Sequence, residues 1–553
     1  MGTPGPVKAA RRPRARYADE VARKRLGALP VAVEFCRRLG VREIVDRLCP
    51  MREVATARVT PGQVVEALIG NRLTSPSPMV GIVDWARDFA VEEVYGVPAA
   101  ALNDDKVART LDVVAGRREH IVSEVAMAAI DAFGIDVSRI HWDMTSMSVY
   151  GDYDAVYEAY PIPDYGHPKD RRTDLKQIQA GLAAAGDGGI PFWHNVFSGN
   201  AGEVNQVIDT LSTLQRIARR RDLLVLGDSK LISYGNVVAM NGAQVRFIAA
   251  LGAARVENSL FASLNRDEAA TVDYVAQRDE KKKPEQRGTY RVLEDTMDLA
   301  GPRKSDPVQR CRRILVHSTG NAEAQAKTRA KKLDRAREEL DTLARLAGSR
   351  YYPDHDAVAA KAGVIATKRR VQAYLRTSIT TDEAGKPTLA WHYDQAAIDA
   401  EAAADGWYAL LTNIPTKKFS AADILLQYKG QPVVERRYSD FKGPLAVTPL
   451  FLHRNDRIAA LITVICLALL VFCLIEREVR TNLAPETEIV GFYAYDNRTA
   501  KPTGRLILAA LAHLQLIPAH GDQPAQVIRP GYLQARLLDL LGVDPTRPRW
   551  LTE

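Results

Sequence analysis

A chain of 553 residues is longer than one small core requires and leaves room for about three or four domains. Its 46% hydrophobic and 26% charged residues are an ordinary soluble composition, and its net charge of +8 favours an acidic partner such as nucleic acid or an anionic membrane. The five cysteines, Cys36, Cys49, Cys311, Cys466 and Cys473, are odd in number, scattered and without a CxxC pair, so neither a disulfide framework nor a zinc site is indicated and a reducing, cytosolic setting is the simpler reading.

Residues 1–17, MGTPGPVKAARRPRARY, are basic but have no apolar h-region, so they do not read as a secretory signal. They read as a disordered arm, either a solubilising tail or a DNA-tracking one. Residues 18–135 read as a helical N-terminal domain. Apolar positions recur at helical spacing in VAVEFCRRLGVREIVDRL and in TPGQVVEALIGNRL, where Thr60 is placed to cap and Pro61 to open a helix. Short helices with basic residues suit a DNA-binding module or a scaffold equally, and none stands out as a recognition helix.

Residues 136–253 form the first part of an α/β core. In SRIHWDMTSMSVY, residues 138–150, Ile140, Trp142 and Met144 alternate with His141, Asp143 and Thr145, which predicts a strand carrying a carboxylate in the middle of its polar face. QIQAGLAAAGDGGIPFWHNVF predicts two strands joined by a Gly-Asp-Gly-Gly turn. Val204, Val207, Ile208, Leu211 and Leu214 form the stripe of a helix. DLLVLGD then carries an apolar run, Leu223–Leu226, that ends in Asp228 and suits a strand buried on both faces. A helix over 230–240 and the strand VRFIAAL complete the set. The first three strands can form an antiparallel meander, and the last two, reached by helical crossovers, can extend it in parallel.

Residues 254–415 differ in composition and predict a basic, β-rich insertion. They hold KKKPEQR at 281–287, RCRR at 310–313 and KTRAKKLDRAR at 327–337, with strand-like TYRVL, RRILVHS and PTLAWHY and a long polar helix near 320–346. A single charge run is usually a solvated helix face, but three in one segment favour phosphate contact. Residues 416–553 return to helices and hold the second part of the core. They include AADILLQY, YKGQPVVERRYSDFK, the uncharged run Ile458–Ile475 and GRLILAALAHLQL. The uncharged run is long enough for a membrane span and equally suits a fully buried helix in a large core.

Three acids stand out. Asp143 lies mid-strand among apolar neighbours, where an ionised carboxylate is costly unless paired or bound to metal. Asp228 ends a buried strand, the edge at which α/β sheets place their sites. Gly430 can end the AADILLQY helix and Pro432 open the next, which sets Glu435 near a helix start with Lys442 on its face. Glu435 is then either a carboxylate favoured by the helix dipole or one aimed at a metal.

HWDMTS around Asp143, VLGDSKLIS around Asp228, and the spacing of Tyr428, Glu435 and Lys442 together resemble the DDE transposases of the IS4 superfamily, most closely the IS1634 family. That family's signature is Tyr, two residues, Arg, three residues, Glu, six residues, Lys; here Gln431 stands at the Arg position, with Lys429, Arg436 and Arg437 nearby as candidate substitutes. KDRRTDLKQIQAGL, GIPFWHNVFSGN and TPGQVVEALIGNRLTSPSPM are also similar to the family, so the resemblance covers nearly the whole chain.

The resemblance implies an RNase H-like catalytic core interrupted by the β-rich insertion, with Asp143, Asp228 and Glu435 as catalytic residues and ligands of two Mg²⁺ ions, for which Mn²⁺ can substitute. Two ions about 3.5–4 Å apart suit in-line displacement at phosphorus. Tyr428, Lys442, Arg436 and Arg437 would contact DNA. The implied partners are terminal inverted repeats and target DNA, bound by a homodimer, in the cytoplasm and without a membrane; the apolar run becomes a core helix. Two other readings share these residues, an RNase H-like nuclease without strand transfer and a catalytically inactive DNA-binding relative.

Overall fold

The computed structural model describes residues 23–50, 59–151, 153, 157–430, 432–493 and 498–544. The basic arm at 1–17 and Gln431 lie outside these residues.

The N-terminal part runs through a two-residue strand β1 (Lys24–Arg25) and helices α1 (Leu29–Arg38), α2 (Val41–Leu48), α3 (Pro61–Thr74), α4 (Ile82–Asp88), α5 (Val91–Tyr95), α6 (Asp104–Ala115) and α7 (Arg118–Phe133). Thr60 and Gln63 close a capping box at the start of α3, each side chain accepting from the other's backbone N–H, so the start signal acts as its sequence predicts. Glu66, Asn71 and Arg72 of α3 are buried with its apolar residues, which makes α3 a core helix rather than a DNA-facing one.

The core follows as β2 (Arg139–Ser148), β3 (Gln177–Ala185), β4 (Pro191–Phe197), α8 (Glu203–Ile217), β5 (Leu224–Gly227), α9 (Tyr234–Gly242) and β6 (Arg246–Ala250). β2 pairs antiparallel with β3 and β3 with β4, whereas β5 pairs parallel with β2 and β6 parallel with β5, as the crossover helices require. The turn between β3 and β4 places Gly188 at φ 69° and Gly189 at φ 65°, the left-handed pair that a tight hairpin needs. Gly181 of β3 lets the indole of Trp142 cross the strand, since a Cβ there would lie 2.6 Å from the ring. His141 and Thr145 are as buried as Ile140 and Met144, so both faces of β2 are covered and its polar face is not solvated. Ile208, expected on the inner stripe of α8, is exposed instead.

The next segment holds α10 (Asn258–Ser263), β7 (Ala270–Val272), β8 (Tyr290–Leu299), β9 (Gln309–Ser318), α11 (Thr319–Leu346), α12 (His355–Arg369), β10 (Leu375–Thr381), β11 (Pro387–Tyr393), α13 (Gln395–Ala403) and β12 (Trp407–Thr412). Of its strands only β10 and β11 pair apart, as a two-stranded sheet. β12 pairs with β6, and one nine-stranded sheet runs β4-β3-β2-β5-β6-β12-β9-β8-β7. Only α11, α12 and the β10–β11 hairpin gather round a core of their own, with Leu340, Leu343, Ile365 and Tyr374 at its centre. Composition marked the inserted residues correctly as basic, but composition carries no pairing information, and β12 finds its partner on β6.

The chain ends with α14 (Ala421–Tyr428), α15 (Pro432–Lys442), α16 (Asn455–Leu483), β13 (Ile489–Val490), β14 (Thr499–Ala500), α17 (Gly504–Leu511), β15 (Gln515–Ile517), β16 (Gln526–Val527) and α18 (Tyr532–Leu540). β15 pairs antiparallel with β1, joining the two ends of the described chain. α16 is long and apolar enough to cross a membrane by length and composition, yet every residue from Ile458 to Ile475 is buried inside the protein. α1, α3, α6, β4, α15 and α17 all pack against it. A helix apolar on every side is stable here because protein surrounds it on every side.

One buried group makes stability depend on pH. His194 on β4 is buried with Nε2 unpartnered, and burial pushes its pKa down to about 3. The unfolded chain protonates this imidazole near its ordinary value of about 6.5, while the folded chain keeps it neutral until about pH 3. Its contribution to stability is therefore intact above about pH 6.5 and falls by about 1.4 kcal/mol per pH unit below it. Urea unfolding at pH 7.5 and pH 5.0 should show His194→Leu losing about 2 kcal/mol less than the parent over that interval; equal losses would contradict this account.

Candidate active site

The parallel pairing of β2 with β5 leads toward the first two acids. β2 and β5 run parallel, with Arg139 opposite Leu224, Ile140 opposite Val225 and His141 opposite Leu226. The same register, extended two residues, leads to Asp143 and Asp228, and Asp228 itself keeps an extended backbone at φ −80°, ψ −170°. Neighbouring strands lie about 4.8 Å apart, and residues on one rung point to one face. Asp228 also caps the short 3₁₀ turn Ser229–Leu231, accepting from the Lys230 N–H at 2.9 Å. That hydrogen bond is the ordinary use of a strand-end Asp and leaves its second carboxylate oxygen for other partners.

The third acid arrives on a helix pair laid along β2. Ser420 and Asp423 form the capping box of α14. Arg139 donates to Gln427 at 2.9 Å near the other end of that helix. Gly430 follows and packs closely, since a Cβ there would lie 3.1 Å from the buried ring of His141. α15 begins at Pro432. The Tyr438 hydroxyl donates to the Asp143 carbonyl at 2.5 Å and accepts the Leu182 N–H at 3.1 Å, and Lys442 Nζ donates to the Ser146 carbonyl at 2.8 Å. The contacts climb β2 in step from residue 139 to residue 146, and Glu435 falls in the chain between the Gly430–His141 approach and the Tyr438–Asp143 bond. Glu435, Tyr438 and Lys442 stand at i, i+3 and i+7, one side of the helix.

The electrostatics agree with this placement. The Tyr428 phenol is pushed up to about 12, first by burial and then by the negative charges of Asp228 and Glu435, so it stays a hydrogen-bond donor at physiological pH. Lys442 is pushed down by burial and by the neighbouring Lys169, against the opposing pull of Asp170 and Asp143.

Of the residues predicted to touch DNA, Arg436 is exposed and reaches Gln277 Oε1 at 3.3 Å. Tyr428 and Lys442 are half-buried beside the acids. Arg437 is different and corrects the expectation. It is 2% exposed and donates to the carbonyls of Gly188 and Gly189 at 2.6 and 2.9 Å, to Glu476 at 3.1 Å and to Asp440 at 3.1 Å. All of its donor groups face protein, so it is a structural residue that ties the β3–β4 turn to α15 and α16. Lys429, a candidate for the missing arginine, is also turned away: its ammonium lies 4.1, 5.6 and 5.8 Å from the ring centres of Tyr290, Tyr408 and Tyr274, and burial pushes its pKa down to about 8.

Two residues that single-motif reasoning missed join the site. Lys169 Nζ lies 3.6 Å from Asp143 Oδ1 and also bonds the Met144 carbonyl. Beside it, Asp170 accepts the Ser148 hydroxyl at 2.6 Å; burial raises its pKa, but that hydrogen bond, the Arg172 N–H and the Lys442 ammonium hold it below its ordinary value. Both begin the KDRRTDLK stretch, whose likeness to the family was the available signal.

Among the described residues, no three His, Cys, Asp or Glu side chains gather closely enough to hold a metal ion. Asp143, Asp228 and Glu435 do not form a closed ligand set in this structure. Their chemistry still fits Mg²⁺ or Mn²⁺, which take hard oxygen ligands and complete their shell with water and substrate phosphate. Lys169 now balances the Asp143 charge that such an ion would balance.

The family model described as a transposase DDE domain matches residues 128–471. A second, described as a domain of unknown function (DUF4277), matches residues 21–127. No curated protein matches the sequence. Among solved structures, a piggyBac transposase synaptic complex with hairpin DNA is similar at 8% identity over 89% of this chain and 82% of that chain, with a TM-score of 0.35, too remote to carry residue roles across.

Proposed function

We propose that this chain, which belongs to the transposase DDE domain family, cuts DNA at the ends of an insertion sequence and joins them to target DNA. The Tyr428–Glu435–Lys442 spacing supports a place in the IS4 superfamily, IS1634 family, and the parallel β2–β5–β6 order with its antiparallel meander supports an RNase H-like core. What supports the reading is the parallel β2–β5 register, which continued two residues past His141–Leu226 leads to Asp143 and Asp228, together with the negative charges of Asp228 and Glu435 raising the Tyr428 phenol.

Asp143, Asp228 and Glu435 would hold two divalent ions, which supply charge neutralisation on the phosphoryl oxygens and a lowered pKa for an attacking water. The chain's own residues do the rest. Tyr438 fixes the Asp143 backbone from α15, so the strand acid and the helix that carries Glu435 move as one unit. Tyr428 offers a phenolic proton to a phosphate oxygen, and Lys442, held by the Ser146 carbonyl, sets a positive charge at the same level. Lys169, 3.6 Å from Asp143 Oδ1, is a second cation available to DNA. The protein would act as a homodimer, since two ends must be joined in one event.

The test supplies DNA carrying the terminal inverted repeats that flank the coding sequence, with Mg²⁺ or Mn²⁺. The expected products are free 3′-OH ends and then those ends joined to a second DNA. Cleavage without joining would favour the nuclease reading, and no cleavage in either ion would sink the proposal.

A further inference from the structure

The structure discriminates among the three basic runs. RCRR is neutralised across the β8–β9 ladder, where Arg310 pairs with Asp298, Arg312 with Glu294 and Arg313 with Asp295. In KKKPEQR, Lys282 pairs with Asp279, and Arg287 is spent on the carbonyls of Lys282 and Glu280. Lys281 and Lys283 of that run stay exposed and make no ion pair among the described residues, but they are not aligned on a helix as the cations of the third run are. On α11, Arg329 turns inward to Asp405, while Lys327, Lys331 and Arg335 are exposed and make no ion pair among the described residues.

These three cations stand at i, i+4 and i+8, one stripe with about 6 Å between successive positions. Like charges at that spacing repel, so the three cations gain from a polyanion laid along them. The stripe also leads somewhere. Lys327 and Arg278 line one open cleft of about 390 Å³. Arg278 follows Gln277, which Arg436 contacts from the helix that carries Glu435. Exposed cations therefore run from Arg436 through Arg278 onto Lys327, Lys331 and Arg335, with Asp279, Glu285 and Glu323 beside them in the cleft.

We propose that this row holds the phosphate backbone of duplex DNA leaving the acidic site, with Lys327, Lys331 and Arg335 each neutralising one phosphate. The proposal rests on the DNA-cutting reading only for the origin of the duplex. Each phosphate neutralised contributes about 0.9 to the slope of log K against log salt. The slope is measured with the full chain, without divalent ion, on a duplex carrying the element's end and on a duplex of unrelated sequence. Lys327→Gln/Lys331→Gln/Arg335→Gln should flatten it by about 2.7 on both, and the charge-retaining Lys327→Arg/Lys331→Arg/Arg335→Lys should restore it. An unchanged slope in the Gln variant, or a change confined to duplex RNA of the same sequence, would overturn the proposal. Because the readout is binding without metal, failure of end cleavage leaves this result standing, and failure of the slope leaves the cleavage reading standing.

Discussion

Asp143→Asn and Asp228→Asn are each expected to lower end cleavage by about 10³-fold or more, equivalent to about 4 kcal/mol of transition-state stabilisation, while DNA affinity changes little. Asn keeps the size and the hydrogen-bonding oxygen of Asp but removes the charge that a divalent cation requires. At position 228 the surviving amide oxygen can still accept the Lys230 N–H, so the 3₁₀ turn after β5 should persist. At position 143 the backbone carbonyl still receives the Tyr438 hydroxyl, so α15 should remain seated. The fold is therefore expected to tolerate both changes, and gel assays of cleavage beside binding isotherms check this. Loss of binding in parallel with cleavage would point to a structural role. Retained cleavage in either variant would remove that acid from the site.

Arg437→Met is expected to destabilise the protein by about 3–5 kcal/mol, because removing one partner of a buried ion pair strands the other. Glu476, 3% exposed, would keep Arg480 and the Gly504 N–H but lose its Arg437 bond. Asp440, whose pKa burial already raises against the pull of Arg437, would lose the cation that offsets that burial. The carbonyls of Gly188 and Gly189 would be left without these donors. Urea unfolding measures the loss directly. The contrast with its neighbour separates the two arginines: Arg436→Gln should leave stability nearly unchanged and flatten the salt dependence of DNA binding by about 0.9, whereas Arg437→Met should leave that slope alone.

That contrast shows what the sequence could and could not convey. Strand order was legible because alternation in 138–150, the Gly-Asp-Gly-Gly turn and the apolar run before Asp228 each restrict the backbone locally. The helix break before Glu435 was legible because Gly430 and Pro432 have known consequences for a helix. Adjacent Arg436 and Arg437 carry the same charge and the same local signal, and only the packing of α15 against α16 and the β3–β4 turn makes one a surface cation and the other a buried strut. Lys169 was hidden for a related reason, since it reaches Asp143 from the loop before β3 rather than along β2. The attachment of β12 to β6 was invisible because composition describes a segment without naming its partner. The run Ile458–Ile475 was ambiguous in principle, as hydropathy cannot tell lipid from protein as the surrounding medium.

The claim that three acids form one site rests most heavily on Glu435, the one acid that stands on a helix and is exposed. End cleavage by Glu435→Gln, measured with Mg²⁺ and with Mn²⁺ on DNA that the variant still binds, tests it most directly. Cleavage should fall by about 10³-fold in both ions with binding retained; cleavage at the parent's rate would contradict the account.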